Sequence, residues 1–206
     1  MNKARLEAFS DGVLAVAITL LVLDLHATRT SPLSLADQLR AEWPTFAAYV
    51  VSFFIIGVVW INHHAIFRVA TAVDHRILVY NLLLLMFVAA IPFCTATYAE
   101  FVRAGGMNAK VAVLAYGIVM EGMAVSFALI LGRLQKAGLT IAGSVPRDRQ
   151  LSLQNAMGYV IFPLITLIGW FYPHVMLVLY AIVVGYYFGP APRSLYVLDS
   201  PVEPAR

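Results

Sequence analysis

Ionisable side chains interrupt three long apolar runs of this sequence, and they are its first candidates for chemistry. Asp11 and Asp24 flank the run VLAVAITLLVL, His63 and His64 close the run FFIIGVVWIN, and Glu121 lies in the middle of VLAYGIVMEGMAVSFALIL. Charged groups inside membrane helices are costly and usually face protein or water, where they mark ion paths, proton relays or polar helix contacts. The chemistry to consider is therefore ion attraction, proton transfer or hydrogen bonding between helices.

The two histidines do not form a metal site on this pattern. Adjacent residues of a helix point about 100° apart, so His63 and His64 do not chelate one ion as an i, i+4 pair would. The single cysteine, Cys94, leaves no internal disulfide and no cysteine-based zinc site. No nucleophile accompanies the histidines, so we predict no enzyme activity, no metal and no cofactor. Proton sensing by either histidine stays open, because the side chain of a free histidine has a pKa of about 6.5 and so changes its charge close to neutral pH.

The composition places these groups in a membrane protein. The 206 residues are 61% hydrophobic and only 12% charged, with a mean hydropathy of +0.82. Soluble domains carry about 25% charged residues, so this chain lacks the material to coat a water-facing surface. The net charge of +3 is spread over loops, which argues against nucleic acid as a partner and makes the lipid bilayer the expected environment.

About 20 apolar residues cross a bilayer as a helix, and the sequence offers six such segments. We therefore predict an all-α fold, a six-helix transmembrane bundle forming one domain over residues 1–190, followed by a disordered tail at 191–206. In this arrangement ten of the 14 Lys and Arg fall on the side of the N-terminus, so both termini are predicted to be cytoplasmic. The predicted spans are residues 8–26, 44–67, 77–101, 109–132, 154–172 and 174–190.

The first predicted helix carries a narrow stripe of small, branched and hydroxyl side chains. At about 100° per residue, Gly12, Val16, Thr19 and Leu23 fall within about 60° of one another. This series is a poor surface for lipid alone. It favours either a close helix contact or a water-lined axis.

The acidic groups at the ends of this helix each allow two interpretations. Ser10 and Asp11 either accept backbone N–H groups of the first turn, or Asp11 pairs with a cation such as Arg5 or with a neighbouring helix. Asp24 is either interfacial or attracts cations toward a pore mouth.

Polar residues farther along favour a network between helices. Trp60, His64 and Asn81 could exchange hydrogen bonds there, each contributing about 0.5–2 kcal/mol. Glu121 either bonds to a Tyr, Ser or Trp of the bundle or acts as a relay carboxylate. On these residues alone, a channel and a secondary transporter both remain open.

Three motifs occur in order: R-x-x-x-F-S-D from Arg5 to Asp11, W-x-x-H-H from Trp60 to His64, and NLLLL followed by IPFCT from Asn81 onward. With this set the sequence resembles the bacterial members of the endosomal and lysosomal transmembrane potassium channel family, over about residues 5–97. The resemblance implies a homotetramer of six-helix subunits in the bacterial inner membrane, with potassium ions as permeant species rather than as a bound cofactor. It also implies a pore lined by the first helix, without the TVGYG filter of ordinary potassium channels.

The resemblance further implies a potassium-favouring cation leak channel with a hydrophobic constriction. The alternative is a secondary transporter or a proton-permeable membrane protein that uses Glu121 and the His63/His64 pair. Val16 stands where the family commonly has Ile, so the narrowest ring would be wider here by one methylene per subunit. The expected pore-lining residues are Gly12, Val16, Thr19, Leu20 and Leu23, with Val16 and Leu23 as the main constriction. The residues expected to brace the first helix are Arg5, Ser10, Asp11, Trp60, His64 and Asn81.

Overall fold

The computed structural model describes residues 2–25, 34–141 and 149–188, with the backbone only for 149–157. Helices form most of this part, and its one bridge between extended residues joins Ala70 and Thr140, which confirms the all-α fold class. The helices are α1 (Lys3–Leu20, continued by a 3₁₀ turn at Leu21–Asp24), α2 (Leu35–Ala41), α3 (Trp43–Val69), α4 (His75–Val102), α5 (Gly106–Lys136), α6 (Arg149–Phe171) and α7 (Pro173–Phe188).

Each of the six predicted spans overlaps one of the six longer helices. Among the described residues, four helices are long and apolar enough to cross a bilayer: α1 with its 3₁₀ turn, α3, α4 and α5. The apolar parts of α6 and α7 are shorter, covering Gly158–Phe171 and Pro173–Tyr187, so the six-span count stays a prediction. The predicted tail at 191–206 lies outside the described residues.

Helix α2 has no counterpart among the predicted segments. None of its residues is buried, so apolar periodicity gives no sign of it. Local capping starts it instead: the Ser34 hydroxyl oxygen accepts the backbone N–H of Asp37 at 3.2 Å and donates its own hydrogen to the Asp37 carboxylate at 2.6 Å. Such a cap satisfies backbone groups that have no partner in the first turn.

Helix α5 ends at a left-handed glycine, after which the chain folds back onto the α3–α4 turn. Gly138 has a φ of 65°, a conformation that favours glycine. The N–H of Leu139 then donates to the carbonyl of Leu134 at 2.9 Å, which is the hydrogen bond of a Schellman motif. The carbonyl of Leu139 in turn accepts the N–H of Thr71 at 2.9 Å. The end of α5 is thereby attached to the loop between α3 and α4.

Charged side chains form further contacts at this end of the bundle. Lys3 Nζ donates to the carbonyl of Ala70 at 2.9 Å, and Arg133 Nε donates to Asp74 Oδ2 at 2.7 Å. The Asp74 carboxylate also accepts the backbone N–H of Ile77 at the start of α4, and this bond together with Arg133 lowers the pKa of Asp74. Because the folded-state pKa is depressed, the contact is present at neutral pH and is lost as the pH falls through that pKa.

Other polar contacts join loops at the opposite end. Arg103, just after α4, lies 3.6 Å from Glu42, just before α3. The Tyr98 hydroxyl group near the end of α4 donates to the carbonyl of Pro173, the first residue of α7, at 2.8 Å. The loops therefore alternate between two ends, as the predicted topology requires.

Glycines allow the helices of the bundle to approach closely. Helix α4 packs on α1, α3 and α5, and α5 packs also on α6. Gly122 of α5 lies directly against the ring of Phe87 on α4, and Gly117 of α5 lies against the side chain of Thr166 on α6. A methyl group at either glycine would overlap its neighbour. Small residues are the usual means of such close packing between membrane helices.

We expect Gly117→Ala to lower the temperature at which the detergent-solubilised protein loses its folded size-exclusion peak, because the new Cβ would overlap Thr166. Gly132 is a matched control on the same helix, since no other described part of the chain places an atom within 4 Å of its Cβ position. Gly132→Ala should be neutral or stabilising, as Ala is better than Gly in a helix by about 0.5–1 kcal/mol. Equal stability of the two variants would contradict this account of the α5–α6 contact.

Candidate functional site

Helix α1 has two opposite faces. Its buried residues, which recur every three or four positions, face α3 and α4, and they are Leu6, Ser10, Leu14, Ala17 and Leu21. The stripe proposed from the sequence, which includes Val16 and Leu23, is centred about 150° away at 100° per residue and is exposed in the single chain. The periodicity thus places one face in the core and leaves the other without a partner in the part of the subunit that the structure describes.

The exposed face is apolar and forms a shallow groove. Val16 is 57% exposed and Leu23 is 70% exposed. The Thr19 hydroxyl group donates to the carbonyl of Val16 at 2.8 Å, so its hydrogen is satisfied within the helix and its oxygen can still accept a bond. The open groove has a volume of about 530 Å³, and it is lined by Ala8, Phe9, Gly12, Val13, Val16, Ala17, Leu20 and, from α4, Ala89.

A chain of three buried polar side chains holds the other face of α1. His63 Nε2 of α3 lies 2.9 Å from Asn81 Oδ1 of α4, and Asn81 Nδ2 donates to Ser10 Oγ of α1 at 2.9 Å. Ser10 passes its own hydrogen to the carbonyl of Leu6 at 2.9 Å. An amide oxygen only accepts, so His63 must carry a hydrogen on Nε2. Each member then has a partner, and the chain links three helices.

A second contact joins α1 to α3 nearer the surface. Trp60 Nε1 donates to Asp11 Oδ1 at 3.0 Å, and the Trp60 ring stacks on the ring of His64 with centroids 6.3 Å apart. The Asp11 carboxylate is therefore bound by a neighbouring helix, one of the interpretations left open by the sequence. Together with the buried chain, this bond fixes both the position and the rotation of α1.

The structure adds a residue to the predicted bracing set. The partner of Asn81 is His63, which was not in that set, while His64 is exposed and contacts Trp60 through its ring, so a bracing role of His64 stays a prediction. The Arg5 side chain is exposed and makes no hydrogen bond or ion pair with the described residues, so its bracing role stays a prediction. Periodicity could have identified the correct histidine, because His63 is in phase with the buried positions Ser52, Ile56, Val59 and Phe67 of α3.

These features define a class: an integral membrane protein of α-helices, in which polar side chains of two helices hold an N-terminal helix that presents an apolar face outward. More specifically, the chain belongs to the TMEM175 family. The family model described as endosomal/lysosomal potassium channel TMEM175 matches residues 5–92, the part that contains α1, α3 and most of α4. The polar chain and the contact between Asp11 and Trp60 lie entirely within this match.

Individual relatives extend the similarity beyond that segment. The chain is 42% identical to a potassium channel of Streptomyces collinus over 80% of this chain and 81% of that protein. Its fold is similar to the crystal structure of a lysosomal potassium-selective channel TMEM175 homolog from Chamaesiphon minutus, with a TM-score of 0.78, 28% identity, and coverage of 90% of this chain and 96% of that one. The human endosomal/lysosomal proton channel TMEM175 is 34% identical over 50% of this chain and 22% of that protein.

We expect Asn81→Leu to lower the thermal stability of the detergent-solubilised protein, because it leaves His63 without an acceptor and Ser10 without its donor in an apolar interior. Each lost bond should cost about 0.5–2 kcal/mol. Asn62→Leu is the matched control, since the Asn62 side chain is half-buried on α3 and forms no hydrogen bond with the described residues. If both variants unfold at the wild-type temperature, the polar chain does not stabilise α1.

Proposed function

We propose that this chain is the subunit of a potassium-favouring cation leak channel, a homotetramer in which four α1 helices surround the ion path. The observation that carries the proposal is the opposition of the two α1 faces: the polar network holds one, and the apolar stripe on the other is exposed, with no partner among the described residues of the subunit. The potassium channel names of the bacterial relatives, at 42% and 40% identity, support this function.

The side chains of the stripe suit a hydrophobic constriction. Four copies of α1 around an axis would give stacked rings of Val16, Thr19 and Leu23, with Gly12 and Leu20 at their margins. An apolar ring gates by dewetting, and ions pass when the ring is wide enough for them to retain part of their hydration. The free lone pair of Thr19 would accept a hydrogen bond from water between the apolar rings. Selectivity would then depend on hydration cost and ring diameter rather than on carbonyl cages.

Proton permeation is the second candidate, favoured by the proton channel name of the vertebrate relatives. The sequence alternative for it uses Glu121 and the His63/His64 pair. His63 is buried in the polar chain, and the ring of His64 stacks on Trp60. A proton path would therefore use the water-filled axis between α1 helices, the same path as the cation.

The basic residues support an orientation in the bacterial inner membrane with both termini in the cytoplasm. At one end of the bundle, the bond from Lys3 to Ala70 joins the start of α1 to the α3–α4 turn. The bond from Arg133 to Asp74 joins the end of α5 to the same turn. Lys and Arg concentrate on this end, as the positive-inside rule expects of the cytoplasmic side.

Val16→Ala should raise single-channel conductance and reduce the preference for potassium over sodium, because smaller side chains leave a wider ring that admits better-hydrated ions. The measurement is a recording in planar bilayers with asymmetric potassium and sodium, using the reversal potential for selectivity and a pH gradient to detect protons. Val160→Ala is the matched control, since Val160 is 64% exposed on α6. Identical currents from both variants would show that Val16 does not line the pore. A flux that requires a counter-ion gradient would favour a transporter.

Val16→Cys should form disulfide-linked dimers between subunits under mild oxidation, because the four cysteines would face one axis. Val160→Cys should not, since α6 would lie at the periphery. The native Cys94 is buried and so should not compete. Native mass spectrometry of the unoxidised protein should count four subunits. Cross-linking at Val160 but not at Val16, or a monomeric mass, would refute the proposed assembly.

A further inference from the structure

Glu121 lies at the centre of α5, far from the other charges of that helix. Along α5 the nearest charged side chains are Lys110 and Arg133, eleven and twelve residues away, which corresponds to about 17 Å and about 18 Å at 1.5 Å per residue. A bilayer core is about 30 Å thick, so a helix whose two charged ends reach the interfaces holds Glu121 near the midplane. An ionisable group at this depth requires a specific explanation.

The neighbours of Glu121 place it on the face of α5 that packs on α6. Gly117 and Ala124 precede and follow it by four and three residues, the spacing of a single helix face. Gly117 is in close contact with Thr166 of α6, and a Cβ built on Gly158 of α6 would lie 3.3 Å from the Cβ of Ala124. Glu121 therefore lies in a tightly packed seam, with close helix contacts one turn before it and one turn after it.

Two buried polar atoms in this region have no hydrogen-bond partner among the described residues. They are Glu121 Oε2 and the hydroxyl oxygen of Tyr180 on α7, whose side chain is 0% exposed. Tyr180 and Tyr159 of α6 both interact electrostatically with Glu121, and Thr166 of α6 also lies next to the Tyr180 hydroxyl group. Helix α4 presents the apolar ring of Phe87 next to this position, against Gly122. The described residues offer Glu121 no ion pair.

An ionised carboxylate in this setting would have no countercharge among the described residues, whereas the neutral acid fits the groups around it. A protonated carboxyl group carries one O–H donor, and a tyrosine oxygen can accept it. A bond from Glu121 to Tyr180 would thus satisfy two otherwise unpartnered atoms at once. Removing a charge from the interior in this way avoids the large desolvation cost of a buried, unpaired ion.

We propose that Glu121 is a proton-binding site in the bilayer interior, in which the carboxyl group is neutral at neutral pH and is faced by Tyr159 and Tyr180. The site is apart from the proposed ion path, because α1 packs on α3 and α4 while Glu121 faces α6 and α7. Proton binding at Glu121 does not depend on α1 lining a pore. The failure of one proposal would therefore be distinguishable from the failure of the other.

The probe is dicyclohexylcarbodiimide, a lipophilic reagent that reacts with protonated carboxyl groups in apolar surroundings. The carboxyl oxygen adds to the carbodiimide carbon and the acid proton moves to a carbodiimide nitrogen. Transfer of the acyl group from oxygen to nitrogen then gives a stable N-acylurea, with no leaving group and no redox partner. The Glu121 side chain is only partly buried, so a reagent dissolved in the bilayer can reach it.

The full-length protein is labelled in lipid vesicles over a range of pH, and the modified peptides are identified by mass spectrometry. At neutral pH we expect Glu121 to be labelled at least about tenfold more than Glu100. A difference of one unit in pKa between two carboxyl groups changes the protonated fraction by this factor. Glu100 is the matched control because it is an exposed glutamate near the end of α4. Labelling of Glu121 should fall as the medium becomes alkaline.

Two variants and one competition complete the test. Glu121→Gln is isosteric and neutral, so it should remain folded on size exclusion and lose the label, while Glu100→Gln should retain wild-type labelling. Absence of the label in folded wild-type protein, or equal labelling of Glu100, would overturn the proposal. So would protection of Glu121 by added potassium or sodium at constant ionic strength, because a metal cation would then be bound instead of a proton.

Discussion

The rotation of α1 depends on one constraint: polar side chains inside an apolar bundle must find partners within the protein. Three different helices contribute the polar side chains Ser10, Asn81 and His63. Each of the three forms a hydrogen bond with another group of the protein. Turning α1 by one residue would move Ser10 by about 100° around the helix axis. The Asn81 amide group would then lose its acceptor. Since the hydrocarbon core supplies no alternative partner, the chain fixes which face of α1 is internal and therefore which face is presented outward.

The bundle combines two means of association, and a bond between Tyr116 of α5 and Ser52 of α3, with 2.8 Å between their hydroxyl oxygens, connects the two parts. Helices α1, α3 and α4 are joined by hydrogen bonds between side chains, and the family match covers this part. Helices α5, α6 and α7 associate through glycine contacts, such as those of Gly117 and Gly169, and through aromatic rings around Tyr180. Glu121 lies in this second part, where two buried polar atoms have no hydrogen-bond partner among the described residues. A rigid support for the α1 face and a separate ionisable position are thus built on different helices.

Much of the fold could be predicted because the bilayer imposes both length and polarity on a helix. Apolar runs located all six of the longer helices, and helix geometry identified the stripe of Gly12, Val16, Thr19 and Leu23 that is exposed in the structure. Helix α2 was beyond this method because a capping serine, and not burial, starts it. His63 and His64 have identical chemistry, so residue type alone could not choose between them, although the phase of the buried positions on α3 does.

By itself, the sequence determined that the chain is a bundle of membrane helices, that its basic residues favour one side, and that α1 has a narrow stripe of its own. These properties follow from composition and from local periodicity, which need no knowledge of neighbours. Only the tertiary structure decided that His63 completes the polar chain, that Trp60 binds Asp11, and that Glu121 Oε2 has no described partner. Such contacts join residues up to 71 positions apart, and they depend on how separate helices are rotated against each other.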